Sequence, residues 1–77
     1  MTPRQLDILG HTIGHMKDGV LHRNHFVAGE DHKDRQDLEA LVASGHMVRQ
    51  PYHLDEVNHC DLYRCTEAGI RAARGSR

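Results

Sequence analysis

Between Asp37 and Arg49 the chain reads DLEALVASGHMVR, and this stretch sets what the rest can fold into. Leu38, Leu41 and Val42 recur at the spacing that gathers apolar side chains on one face of a helix. Gly45 follows where that periodicity ends, at the position where a left-handed residue closes a helix and a side chain would be crowded. Met47 and Val48 then restart an apolar run that Pro51 interrupts. A helix, a glycine stop and a strand leading away are therefore expected. Further on, LYRCTEAGIRAA reads as a strand that runs into a short helix.

The remaining segments are read around that unit. Thr2 to Gly14 is expected to be a helix, with Thr2 as its cap, Pro3 at the first helical position and Gln5 completing a capping box. Met1 and Leu6 would supply the accompanying hydrophobic staple. Leu6, Leu9, Ile13 and Met16 would form its buried face, leaving Ile8, His11 and His15 opposite. Lys17 to Gly19 reads as a turn, and Val20 to Gly29 as a strand or irregular run that inserts Phe26 into the core. Glu30 to Ser44 is expected as the second long helix, capped by Asp31 and with Asp34 in its first turn. His46 to Gln50 and His59 to Cys65 would pair around a loop from Pro51 to Asn58, with Tyr63 and Cys65 inward and Leu62 and Arg64 outward. Thr66 would cap a final helix, Glu67 to Arg74, docked through Ile70 and Ala73. At 77 residues this is one domain, covering residues 1–77, too small for a deep catalytic cleft.

Gly45, Tyr63, Cys65, Thr66, Glu67 and Gly69 together resemble the second half of a winged-helix domain. There a helix ends at glycine and feeds a two-stranded wing, whose return strand reads Tyr, x, apolar, Thr, Glu, x, Gly. The resemblance implies an α+β, winged-helix-like fold of about three helices, with a C-terminal β-hairpin wing followed by a short final helix. Over nearly the whole chain, TPRQLDIL with HTIG, RNHFVAG, and the span from LVASGHM to TEAG look like a small protein family encoded in phages and prophages. Phage-encoded proteins of this size are often transcription regulators or inhibitors of host machinery such as anti-CRISPR proteins, some of them acidic DNA mimics. The chain departs from the DNA-reading pattern in two ways. A single helix is clearly written ahead of the wing helix, and the wing helix is acidic.

Residues 30–39 carry Glu30, Asp31, Asp34, Asp37 and Glu39 against Lys33 and Arg35, a net charge of −3. Pressed into a DNA groove, that helix would meet a polyanion with the wrong sign. It suits instead a basic surface on a partner protein. The leading expectation is a non-enzymatic phage accessory protein that binds a host complex, such as a CRISPR effector, through Asp31, Lys33, Asp34, Gln36, Asp37 and Glu39. Reversing Asp34 and Asp37 to Lys would then abolish binding and leave the fold intact. The alternative is a DNA-binding regulator that grips phosphates through Arg49, His53, Arg64, Arg71 and Arg74.

Chemistry is poorly supported. Cys60 and Cys65 would sit on opposite faces of a strand as free thiols. His11 and His15 have the i, i+4 spacing of a metal pair, but no third ligand is fixed, and paired CxxC and HExxH are absent. No catalytic residue, metal or cofactor is expected. No apolar run approaches the ~20 residues that span a bilayer, and no secretory signal is read. The expectation is a location in the host cytoplasm with no membrane contact.

Overall fold

The computed structural model describes residues 1–14, 23–29, 31–53 and 59–75. Their order is α1 (Pro3–Thr12), β1 (Phe26–Ala28), α2 (Arg35–Ala43), β2 (Met47–His53), β3 (His59–Cys65) and α3 (Glu67–Gly75). The result is a small α+β arrangement of three helices and a three-stranded antiparallel sheet in the order β1-β3-β2.

The local signals at the start of α1 act as read. The Gln5 N–H donates to the Thr2 hydroxyl at 3.1 Å, and the Thr2 N–H donates to the Gln5 side-chain oxygen at 3.2 Å. Its buried face differs from the expectation. Ile8, Leu9, Thr12 and Ile13 are buried, whereas Leu6 is half-buried and Met16 lies outside the described residues. Ile8, expected on the far side with His11, is 1% exposed. The reason is that α1 packs against α3, α2 and β3, so it buries a broad arc rather than a stripe. Thr12 is tolerated in that arc because its hydroxyl donates to the Ile8 carbonyl at 2.6 Å.

α2 is shorter than its sequence suggests. Turns occupy the stretch before it, with the His32 N–H donating to the Gly29 carbonyl and the Arg35 N–H to that of His32. Asp31 is exposed and caps nothing; Asp34 holds the cap position, and its carboxylate makes no cap bond. Leu38 and Leu41 are buried and Val42 half-buried, and the helix closes through Gly45 at φ 83°.

Phe26–Ala28 is a strand paired with β3, with Ala28 buried and Phe26 packed against the core. Val20 and Leu21 lie outside the described residues. Asn24 extends this pairing by side chain: its Nδ2 donates to the Cys65 carbonyl at 3.1 Å, and its Oδ1 accepts from the Cys65 N–H at 2.8 Å. β2 runs on through Pro51 to His53, beyond the expected end at Gln50. A proline is accepted there because β2 lies at the sheet edge.

α3 begins as expected, with the Gly69 N–H donating to the Thr66 hydroxyl at 3.2 Å. Thr66 also ties the helix to the turn after α2, through its hydroxyl to the Gly45 carbonyl at 2.7 Å and its N–H to the His46 carbonyl at 3.0 Å. One core of Ile8, Leu9, Ile13, Leu38, Leu41, Met47, Tyr63, Cys65 and Ala73 lies between the helices and one face of the sheet. Leu62 is buried, yet it is not part of that core.

Candidate interaction surfaces

The acidic run is mostly turned inward. Asp34 is 5% exposed, and its two oxygens accept from Arg4 Nε at 3.1 Å and Nη2 at 2.7 and 2.6 Å. The Arg4 guanidinium holds the Asp34 carboxyl below the usual aspartate range, against the opposing pull of burial. The Asp34 N–H donates to His32 Nδ1 at 3.0 Å, which fixes that turn. Asp37 accepts from Gln5 Nε2 at 3.2 Å. Glu39 Oε1 accepts from Arg35 Nε at 3.1 Å, from Arg49 Nη1, and from the Tyr63 hydroxyl at 3.3 Å. Arg35 reaches on to Asp61 at 2.7 Å and lies 5.8 Å from the Tyr63 ring centroid.

Of the six residues expected to form the partner surface, Asp31, Lys33 and Gln36 are exposed, while Asp34, Asp37 and Glu39 serve internal bonds. Arg4 and Arg49 offset two of the charges that made the segment acidic on paper. The solvent side of α2 is Gln36, Ala40 and Ala43, a nearly uncharged face.

The cationic set does not converge. Arg49 lies opposite Tyr63 on the core-facing side of the sheet and is held by Glu39. Arg64, next to Tyr63 along β3, points to the other side and is exposed. Arg71 pairs with Glu67 one helical turn earlier, Arg74 is exposed on α3, and His53 ends β2 opposite His59.

A cleft of about 490 Å³ opens between α1, β1 and the turn before α2, lined by Arg4, Asp7, His11, Phe26, His32 and Lys33 among others. Phe26 stands edge-on between His11, at 5.8 Å, and His32, at 5.4 Å. The cleft brings no serine or cysteine to these groups. Burial pushes the Cys65 thiol up to about 11, which leaves it protonated and a poor nucleophile. Cys60 is half-buried on the opposite face of β3, and both thiols are free. Among the described residues no three His, Cys, Asp or Glu gather as a metal site; His15, one half of the expected helical pair, lies outside them.

The surface that sequence reasoning missed is the outer face of the sheet. The register places Val27 beside Leu62, Leu62 beside Gln50, Val48 beside Arg64, and Tyr52 beside Cys60, all directed away from the core. Val27 is 36%, Val48 52% and Tyr52 41% exposed, and they surround Leu62 at 7%. Strand alternation predicts Leu62 and Arg64 outward but not their neighbours, because Tyr52 falls in the expected loop and Val27 in a segment expected as strand or irregular run. A period-two reading carried through Pro51 would have found Val48 and Tyr52.

Fold and surface thus define a small α+β domain whose described helices pack on one face of the sheet, while the other face carries the exposed Val27, Val48 and Tyr52 around a buried Leu62. Compared with known proteins, the chain matches no family model, no curated protein and no solved structure. No helix among the described residues is long and apolar enough to cross a membrane.

Proposed function

We propose that this protein acts without catalysis, by binding another protein. The observation that carries this reading is the open sheet face. A self-sufficient domain ordinarily turns polar side chains outward from an antiparallel sheet, and here Val27, Val48 and Tyr52 stand in water around Leu62. The resemblance to phage- and prophage-encoded proteins supplies the setting: an accessory factor in the host cytoplasm that inhibits a nucleic-acid-handling complex such as a CRISPR effector. The winged-helix-like architecture belongs to the same proposal. Its support is the strand order β1-β3-β2, with α2 delivering the chain through Gly45 into the β2–β3 hairpin.

The test is co-purification from host cells with photo-crosslinking at position 50, which is exposed on the same face between Val48 and Tyr52. A discrete crosslinked partner that is lost with Val48→Lys plus Tyr52→Lys, in a variant that melts like the wild type, supports the reading. Unchanged crosslinking in that variant overturns it.

The DNA-binding alternative draws on the same strand order and on the exposed cations Arg64, Arg71 and Arg74. Against it, Arg49 and Arg64 point to opposite sides of the sheet and α2 offers Gln36 as its exposed base-reading group. Anisotropy of labelled duplex DNA at low and moderate salt decides. Micromolar binding that falls steeply with salt would establish the alternative.

A further inference from the structure

We propose that the outer face of the sheet is the seat for one acidic amphipathic helix of a partner protein. The inference rests on the protein-binding reading above and names the occupant. Three features of the face carry it.

The first is shape. Neighbouring strands lie about 4.8 Å apart, so β1 and β2 flank β3 at a separation of roughly 10 Å. That matches the 10–12 Å width of one α-helix with its side chains. A helix laid along β3 would meet Val27 on one flank, Val48 and Tyr52 on the other, and Leu62 beneath it. Val48 and Tyr52 are the diagonal neighbours of Leu62, close enough for all three to contact the same apolar stripe.

The second is charge. Arg4, Arg35, Arg49 and Arg71 each hold a carboxylate, whereas Arg64, on this face, holds none among the described residues. The paired outer positions contain no Asp or Glu. A helix with carboxylates beside its apolar stripe supplies the partner that Arg64 lacks, and charge of that sign also favours encounter.

The third separates this occupant from a second copy of the same chain. A symmetric contact needs a self-complementary surface. Two copies packed face to face would cover both Arg64 guanidinium groups, with no carboxylate at the described outer positions to answer either.

The probe is a labelled, lactam-stapled 18-residue peptide with leucine at i, i+3, i+4 and i+7 and glutamate elsewhere, compared with the same peptide carrying lysine for glutamate. Binding is read by anisotropy, and the contact by amide chemical-shift changes. The glutamate peptide is expected to bind at least tenfold more tightly than the lysine peptide, with shifts at Val27, Val48, Tyr52, Leu62 and Arg64. Arg64→Glu is expected to invert the preference. Its side chain is exposed, so this change leaves the core untouched, and a melting curve verifies that. Equal affinity for the two peptides, shifts confined to α2 or α3, or no binding of either overturns the inference. If neither peptide binds while the position-50 crosslink still depends on Val48 and Tyr52, the occupant is wrong and the protein-binding reading stands. Concentration-dependent dimerisation abolished by Val48→Lys would likewise replace the helix with a second copy.

Discussion

Asp34 sits at the N-cap of α2 but gives its carboxylate to Arg4, 30 residues earlier in α1, in three hydrogen bonds of 2.6 to 3.1 Å. The cap is sacrificed to tie the starts of two helices together, and Gln5 to Asp37 adds a second tie beside it. Two of the segment's acidic residues, Asp34 and Asp37, thus fasten α1 to α2, and a third, Glu39, ties α2 to the sheet through Arg49 and Tyr63.

The first prediction concerns that fastening. Because the folded-state pKa of Asp34 lies below its unfolded value, its contribution to stability is fully present above about pH 3.9 and is lost as pH falls through the folded value. Asp34→Asn should lower the urea midpoint at pH 7, and the gap to wild type should close as the pH is taken down toward 3. A gap of the same size at both ends would mean that the carboxylate contributes nothing through ionisation.

Gly69 lies inside α3, where alanine would normally gain about 1 kcal/mol in helix propensity. A Cβ there would stand 2.0 Å from the His46 carbonyl oxygen, whose position is fixed by the Thr66 N–H. Gly69→Ala should therefore destabilise by at least about 1–3 kcal/mol, the usual cost of overpacking, despite the propensity gain. Gly75→Ala, with nothing within 4 Å, is the control and should be near neutral. Chemical denaturation of both variants checks the pair, and an unharmed Gly69→Ala would place α3 further from the Gly45–His46 turn than described.

The two thiols should separate cleanly. Cys60 is half-buried on the outer face, whereas Cys65 is 6% exposed, with its thiol raised to about 11 by burial. At pH 8 a disulfide-exchange reagent should label Cys60 readily and reach Cys65 only at the rate of unfolding. A buried acid with a raised folded-state value favours the neutral form. Its contribution is thus held below the ordinary thiol range near 8.5 and lost as pH rises toward 11. Peptide mapping after timed labelling distinguishes the sites, and rapid modification of Cys65 in the native protein would contradict its burial.

These contrasts show what was legible in the sequence. Thr2, Pro3, Gln5, Gly45 and Thr66 take the roles their sequence spacing predicts, because caps and turns are decided by residues within three or four positions of each other. Ile8 was misplaced because its burial depends on α3 and α2 closing around α1, which the periodicity of α1 cannot report. The sequence places Asp31 at the cap and Asp34 in the first turn of one long helix; the cap position instead falls to Asp34, whose carboxylate is taken by a tertiary partner, Arg4, that local spacing cannot report. The open sheet face was hidden for a related reason. Val27 belongs to a three-residue strand whose place is set by pairing with Leu62, far along the chain.

The last prediction sets the acidic segment against the sheet face. Asp34→Lys would place an ammonium beside Arg4 in a buried position, so reversal there should disturb the fold and say little about binding. Asp31 and Gln36 are the clean probes, because both are exposed and neither makes a side-chain bond to the described residues. Asp31→Lys with Gln36→Lys should leave the melting temperature within about 2–4 °C, since surface changes of this kind move stability by about 0.5 kcal/mol or less. If the partner docks on the outer sheet face, this double variant should keep its affinity within about threefold, while Val48→Lys, at a position 52% exposed, should weaken it at least tenfold without unfolding the domain. Calorimetric titration of both variants against the captured partner makes the comparison. Loss of binding in the α2 variant with retention in Val48→Lys would return the site to the exposed side of that helix and remove the sheet face from the mechanism.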